Sequence, residues 1–154
     1  MLQSKRFAEA VPVGTVGVSG AGAIEQVGVD ALRRLYQVAG GNSGQCRRVA
    51  LFLLGLYNGT RFPFDLTDLR AIDDALFDDC MRVLRMDARL ARRKVHTYFS
   101  DGIQGWEDMA ADWHVLDVHR VRILAKDLAE HVGFSGPQGA AAAALVDFIN
   151  GEQR

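Results

Sequence analysis

Apolar residues recur at helical spacing along most of the chain. Leu32, Leu35, Tyr36 and Ala39 form an i, i+3, i+4, i+7 stripe. That stripe predicts a helix opened by Asp30 as N-cap and ended by Gly40-Gly41. Ser43 then predicts the cap of a second helix, CRRVALFLLGLY, whose segment from Val49 to Tyr57 is apolar on every side. A helix of that kind needs cover all round and is expected at the centre of the fold. Asn58-Gly59 stops it, and Phe62 and Phe64 flank Pro63 in a link that plugs the core.

Asp65 or Thr67 opens a further helical region in which Leu69, Ile72, Leu76, Cys80 and Val83 make one apolar face. Val95, Tyr98 and Phe99 point inward from a short helix, and Trp106, Met109, Ala110 and Trp113 repeat the 3.6-residue stripe. Val118, Val121, Ala125, Leu128 and Val132 define a helix that Gly133 ends. Gly136-Pro137 starts the last one, with Ala140–Ala144 followed by Leu145, Phe148 and Ile149. The pattern predicts an all-α fold: a compact bundle of about six or seven helices around one buried apolar helix. Residues 1–28, rich in glycine and valine, are expected to be a flexible or strand-forming arm. Residues 29–113 are expected to form the helical core domain, and residues 114–154 a C-terminal helical extension packed on it.

Composition narrows the function classes. The chain has 154 residues, 49% hydrophobic and 24% charged, with a net charge of −1. That is an ordinary globular composition, long enough for a self-sufficient core. Its near-neutral balance supplies no global field toward nucleic acid or an anionic membrane. The run from Val49 to Tyr57 is too short to span a bilayer, and no membrane partner is expected. Two cysteines without metal-ligand spacing, Cys46 and Cys80, fit small core hydrophobes in a reduced, cytoplasmic compartment. Gly20-Ala-Gly22 lacks the third glycine and the βαβ unit of a dinucleotide loop. His96, His114, His119 and His131 lack zinc spacing, and no nucleophile elbow or Walker loop occurs. A non-enzymatic chain without cofactor or metal is expected.

The charge pattern is the remaining signal. Residues 65–79 hold six carboxylates and one arginine, and residues 82–94 hold six basic residues and one aspartate. Asp74 and Asp78 share a helix face, a pair able to hold Mg²⁺ with a diphosphate, as in the D-D-x-x-x-D motif of prenyl synthases. Those enzymes need a second acidic motif and a larger chain than this one. Acids early and arginines late also suit the helix macrodipole, with Asp78 and Asp79 paired to Arg82 on a solvated face. A third reading takes the dipolar segment as a protein-recognition surface. Its candidate partner-binding residues are Asp73, Asp74, Asp78 and Asp79 on the acidic side, and Arg89, Arg92, Arg93 and Lys94 on the basic side. The acids beside the basic block repel phosphates, which argues against direct nucleic-acid binding. The valine-glycine arm and the alanine run suggest elements exchanged in a homodimer.

The segments GQCRRVALFLLGLYNG, FPFDLTDLR and DDALFDDCMRVLR, continuing through KVHTYF to WEDMAADW, carry a resemblance over roughly residues 29–113. They resemble a small uncharacterised helical family carried on integrative elements and plasmids of Proteobacteria. That family implies no activity and no catalytic residue. As a whole, the chain looks like an anti-CRISPR protein directed at a type I-F system. The resemblance implies an inhibitor that binds a Cas protein or Cas complex, either the surveillance complex or the recruited helicase-nuclease, in the bacterial cytoplasm. A DNA-associated accessory or regulatory protein of a mobile element is the alternative.

Overall fold

A computed structural model describes residues 20–90, 92–132 and 136–150. The fold is all-α. Six α-helices are described: α1 (Gly20–Ala39), α2 (Gly44–Asn58), α3 (Asp74–Leu90), α4 (Gly102–Asp112), α5 (Val118–Val132) and α6 (Gly136–Asn150). Two short 3-10 segments, Leu66–Ala71 and Val95–Tyr98, interrupt them. The chain divides into two units, Met1–Val115 and Leu116–Arg154.

In the first unit α1 lies along both α2 and α3, and α2 also touches α4. Val29, Ala31, Leu32, Leu35, Tyr36 and Ala39 of α1 are buried with Val49, Ala50, Phe52, Leu53 and Leu54 of α2. The all-round apolar helix is therefore core over Val49–Leu54, but it is not covered on every side as its pattern predicts. Its far side, at Leu51, Leu56 and Tyr57, is half-buried. Ser43 caps α2, its hydroxyl accepting from the Cys46 backbone N–H at 3.2 Å. Phe62 is buried, and Phe64 meets Phe52 edge-on at 5.6 Å.

Helix α1 starts earlier than its stripe predicts. Gly20 to Val29 is helical, and Asp30 sits mid-helix, bonded to Arg33 and Gln26 rather than capping. Packing explains the extension. Gly28 lies where a Cβ would overlap Met86 of α3, so its lack of a side chain lets the two helices close. Local propensity penalises such a glycine, and tertiary contact overrides it. The rest of the expected arm, residues 1–19, lies outside the described residues.

The acidic region is likewise not one helix. Asp65 caps the 3-10 segment, accepting from the Thr67 backbone N–H at 2.8 Å. Ile72 is extended, and Asp73 then caps α3 by accepting from the Leu76 N–H at 2.9 Å. Each cap contributes about 1 kcal/mol.

An aromatic cluster closes the unit. The Trp106 ring centroid is 5.6 Å from Tyr36, 5.6 Å from Tyr57 and 6.0 Å from Phe99. The Trp113 indole N–H donates to the Ala39 carbonyl at 2.8 Å, tying the end of α4 to the end of α1. Glu107 accepts from Tyr57 and from both Nη atoms of Arg61, which anchors the loop after α2.

The second unit is an α5–α6 pair. Among its described residues Ala129, Gly139 and Ala142 are buried, whereas Val121 and Leu128, expected inward, are exposed. Small side chains allow close helix approach, and Val121, Leu128 and Leu145 stay exposed beside the seam. The side chains of Val132, Phe148 and Ile149, and the stop at Gly133, lie outside the described residues.

Candidate protein-binding surface

Helix α3 carries most of the candidate residues, and the fold sorts them by direction. Asp79, Cys80, Val83 and Met86 face the core. Asp79 is therefore not a surface acid: it is 6% exposed. Arg34 of α1 grips it with two bonds of 2.7 Å, and Arg82 adds a third at 2.7 Å. A carboxylate on the buried face is tolerable because three charge-assisted bonds replace its hydration. The Arg34 hydrogen bonds hold its carboxyl below the usual range, with Arg82 adding to them, although burial acts in the opposite direction.

That assignment gives a stability prediction. Asp79→Ala should cost about 1–3 kcal/mol at neutral pH, because both arginines lose a charged acceptor. Asp78→Ala should stay within about 0.5 kcal/mol, since Asp78 is exposed and only 3.8 Å from Arg82. A depressed folded-state pKa stabilises above the unfolded value, and that contribution is lost as pH falls through the folded one. Urea unfolding at pH 7 and again well below pH ~4 should thus show the gap between wild type and Asp79→Ala shrinking in acid. An unchanged gap would rule out the ion-pair account.

Asp73, Asp74 and Asp78 remain exposed at the start of α3, so the acidic surface is real but smaller than expected. Asp73 also spends one carboxylate oxygen on its cap. Asp78 and Arg82 border a shallow cleft of about 730 Å³ between α1 and α3, with Arg34, Gln37, Val38 and Leu76 on its walls.

The basic block is divided. Arg89 is exposed on the last turn of α3. Arg92 reaches Glu25 of α1 at 2.7 Å, and Arg93 lies over the Tyr98 ring at 5.8 Å. Lys94 is exposed at the cap of Val95–Tyr98. Arg92 and Arg93 thus contribute to holding the segment after α3, which leaves Arg89 and Lys94 as its more available charges.

The sequence reading missed a second apolar stripe on α3. Phe77, Met81, Leu84 and Ala88 follow one another at i, i+4, i+7 and i+11; Phe77, Leu84 and Ala88 are exposed, and Met81 between them is half-buried and still touches the core. Phe77 and Leu84 are 39% and 38% exposed. Their spacing is legible in the sequence, but the stripe Leu76, Cys80 and Val83 beside it left these four residues without an assigned face.

Other chemistry is limited. Cys80 is fully buried, and that burial pushes its thiol up to about 12. Cys46 is half-buried, 3.0 Å from the Ser43 hydroxyl. Burial lowers the His96 pKa, with Lys94 adding to the effect. Among the described residues no group of three or more His, Cys, Asp or Glu is placed to hold a metal ion. Among the same residues no helix is long and apolar enough to cross a membrane.

Residues 29–114, running from the middle of α1 to just past α4, match the model of a family of unknown function, DUF7673. The chain belongs to that family. The matched region spans all of α2, α3 and α4 and ends one residue before the boundary of the first unit. It leaves out the first turns of α1 and the whole α5–α6 pair. No curated protein and no solved structure matches the chain.

Proposed function

We propose that the protein is an inhibitor that acts by binding another protein, and that its target is a Cas protein or Cas complex of a type I-F system in the bacterial cytoplasm. The observation that carries the binding reading is the solvent side of α3, where exposed carboxylates at one end and exposed arginines at the other flank apolar side chains. Charge segregation of this kind sets partner choice and association rate, and exposed aromatic and aliphatic groups between the charges supply the buried area. The type I-F target rests on the likeness of the whole chain to anti-CRISPR proteins. In this reading Asp74 and Asp78 occupy a basic surface that otherwise holds nucleic acid.

Asp74→Arg/Asp78→Arg should abolish inhibition of type I-F interference in cells, because like charges across an interface cost several kcal/mol. The melting temperature should move by no more than about 4 °C, since reversing two exposed charges costs on the order of 1 kcal/mol. Asp79 is left untouched because it belongs to the core. Full inhibition by the folded double variant would overturn the assignment of this face. Recovery of DNA rather than Cas subunits in a pull-down, lost steeply with salt, would replace the reading with the mobile-element accessory protein.

A further inference from the structure

We propose that the outer face of α3 is a seam between two copies of this chain, paired antiparallel about a twofold axis. Two independent features of the helix agree on the same register. The first is charge. Asp74 and Asp78 lie along one margin of the outer face, and Arg85 and Arg89 continue that margin toward the C-terminus. The pairs 74/89 and 78/85 are both centred midway between Met81 and Arg82. A twofold axis at that point sets Asp74 against Arg89 of the second copy and Asp78 against Arg85, then repeats both contacts by symmetry. Parallel pairing would set acid against acid and arginine against arginine.

The second feature is shape. Met81, Leu84, Arg85 and Ala88, with Arg89, line a shallow hollow of about 540 Å³ on this face. Residues at i, i+3, i+4 and i+7 are the four that form a hole for a knob from a facing helix. The antiparallel register that pairs the charges brings Phe77 of the second copy opposite that hollow, to within about 2 Å along the helix axis. Phe77 and Leu84 occupy the other margin, so apolar meets apolar while charge meets opposite charge. Isologous contact requires this kind of self-complementary patch. The seam uses neither residues 1–28 nor Ala140–Ala144, the elements from which the sequence suggested a dimer.

The inference stands apart from the Cas-binding reading, but the two share the outer face of α3: Asp74, Asp78, Arg89 and the apolar side chains between them. A second copy and a basic partner surface therefore exclude each other. The test measures the mass of the full chain by light scattering at micromolar concentration, with circular dichroism on every variant. Wild type should return twice 16.9 kDa. Leu84→Glu should halve that mass, which tests the apolar margin. Asp74→Arg/Asp78→Arg makes the charged margin wholly basic, and Arg85→Asp/Arg89→Asp makes it wholly acidic. Each should be a folded monomer alone, and the two mixed should return the dimer mass. A monomeric wild type, a dimer that survives Leu84→Glu, or two folded charge variants that stay monomeric when mixed would each overturn the seam.

Discussion

Leu53→Asp should leave the first unit without a folded state. Leu53 is fully buried in α2. Shortening a buried leucine costs about 2–5 kcal/mol in lost burial and cavity alone. An unpartnered carboxylate at the same place adds several kcal/mol or must take up a proton. A natural domain holds only about 5–15 kcal/mol in total, so the two costs consume most or all of it. Far-UV circular dichroism should lose much of its helical signal, and no cooperative thermal transition should remain. A variant that melts within a few degrees of wild type would mean that α2 is not core.

Gly105→Ala is the second large effect, and it comes from adding one carbon. Tyr36 of α1 donates its hydroxyl to Asp101 Oδ2 at 2.7 Å, and Gly105 stands one helical turn after Asp101. A Cβ there would overlap both oxygens of that bond. Overpacking of a close contact costs about 1–3 kcal/mol, and separating a buried hydroxyl from its acceptor adds about 1–3. Denaturant unfolding should therefore show a loss of about 1–5 kcal/mol once the propensity gain of about 1 kcal/mol for alanine is set against these costs, the opposite sign to that expected of a glycine-to-alanine change inside a helix. Tyr36→Phe removes one of the two obstructing oxygens. The cost of Gly105→Ala should be smaller in that background, and a double-mutant cycle measures the difference. A helix stabilised by Gly105→Ala would rule out the close approach.

Several parts of this architecture could be read before any coordinates. The stripes Leu32–Ala39 and Trp106–Trp113 are core because period and burial coincide when a helix packs on one side. The Ser43 cap and the stop after Asn58 are local chemistry, so they appear in local sequence. The first turns of α1 were not legible, because Gly28 is favourable only beside Met86, which lies 58 positions away. Asp79 was misread for a related reason. A carboxylate is presumed solvated until a partner is found, and Arg34 comes from another helix. Treating residues 65–83 as one helix also smoothed over the break at Ile72 and the seating of Asp73 as a cap. On the candidate surface, Asp74 and Asp78 were correctly placed outward by helical spacing. The stripe from Phe77 to Ala88 was legible as spacing but not as an exposed face, because an apolar residue signals burial without saying against what.

The aromatic cluster has a spectroscopic consequence. Both tryptophans of the chain, Trp106 and Trp113, belong to the first unit, and residues 116–154 contain none. Trp106 is sealed from water among Tyr36, Tyr57 and Phe99, so its emission is that of an apolar site and shifts to the red only when the cluster opens. Intrinsic fluorescence is thus a private reporter of the family-matched unit. Ellipticity near 222 nm, to which α5 and α6 also contribute, reads the chain as a whole. Superposing the two signals along one melting curve asks whether the α5–α6 pair unfolds with the rest or by itself.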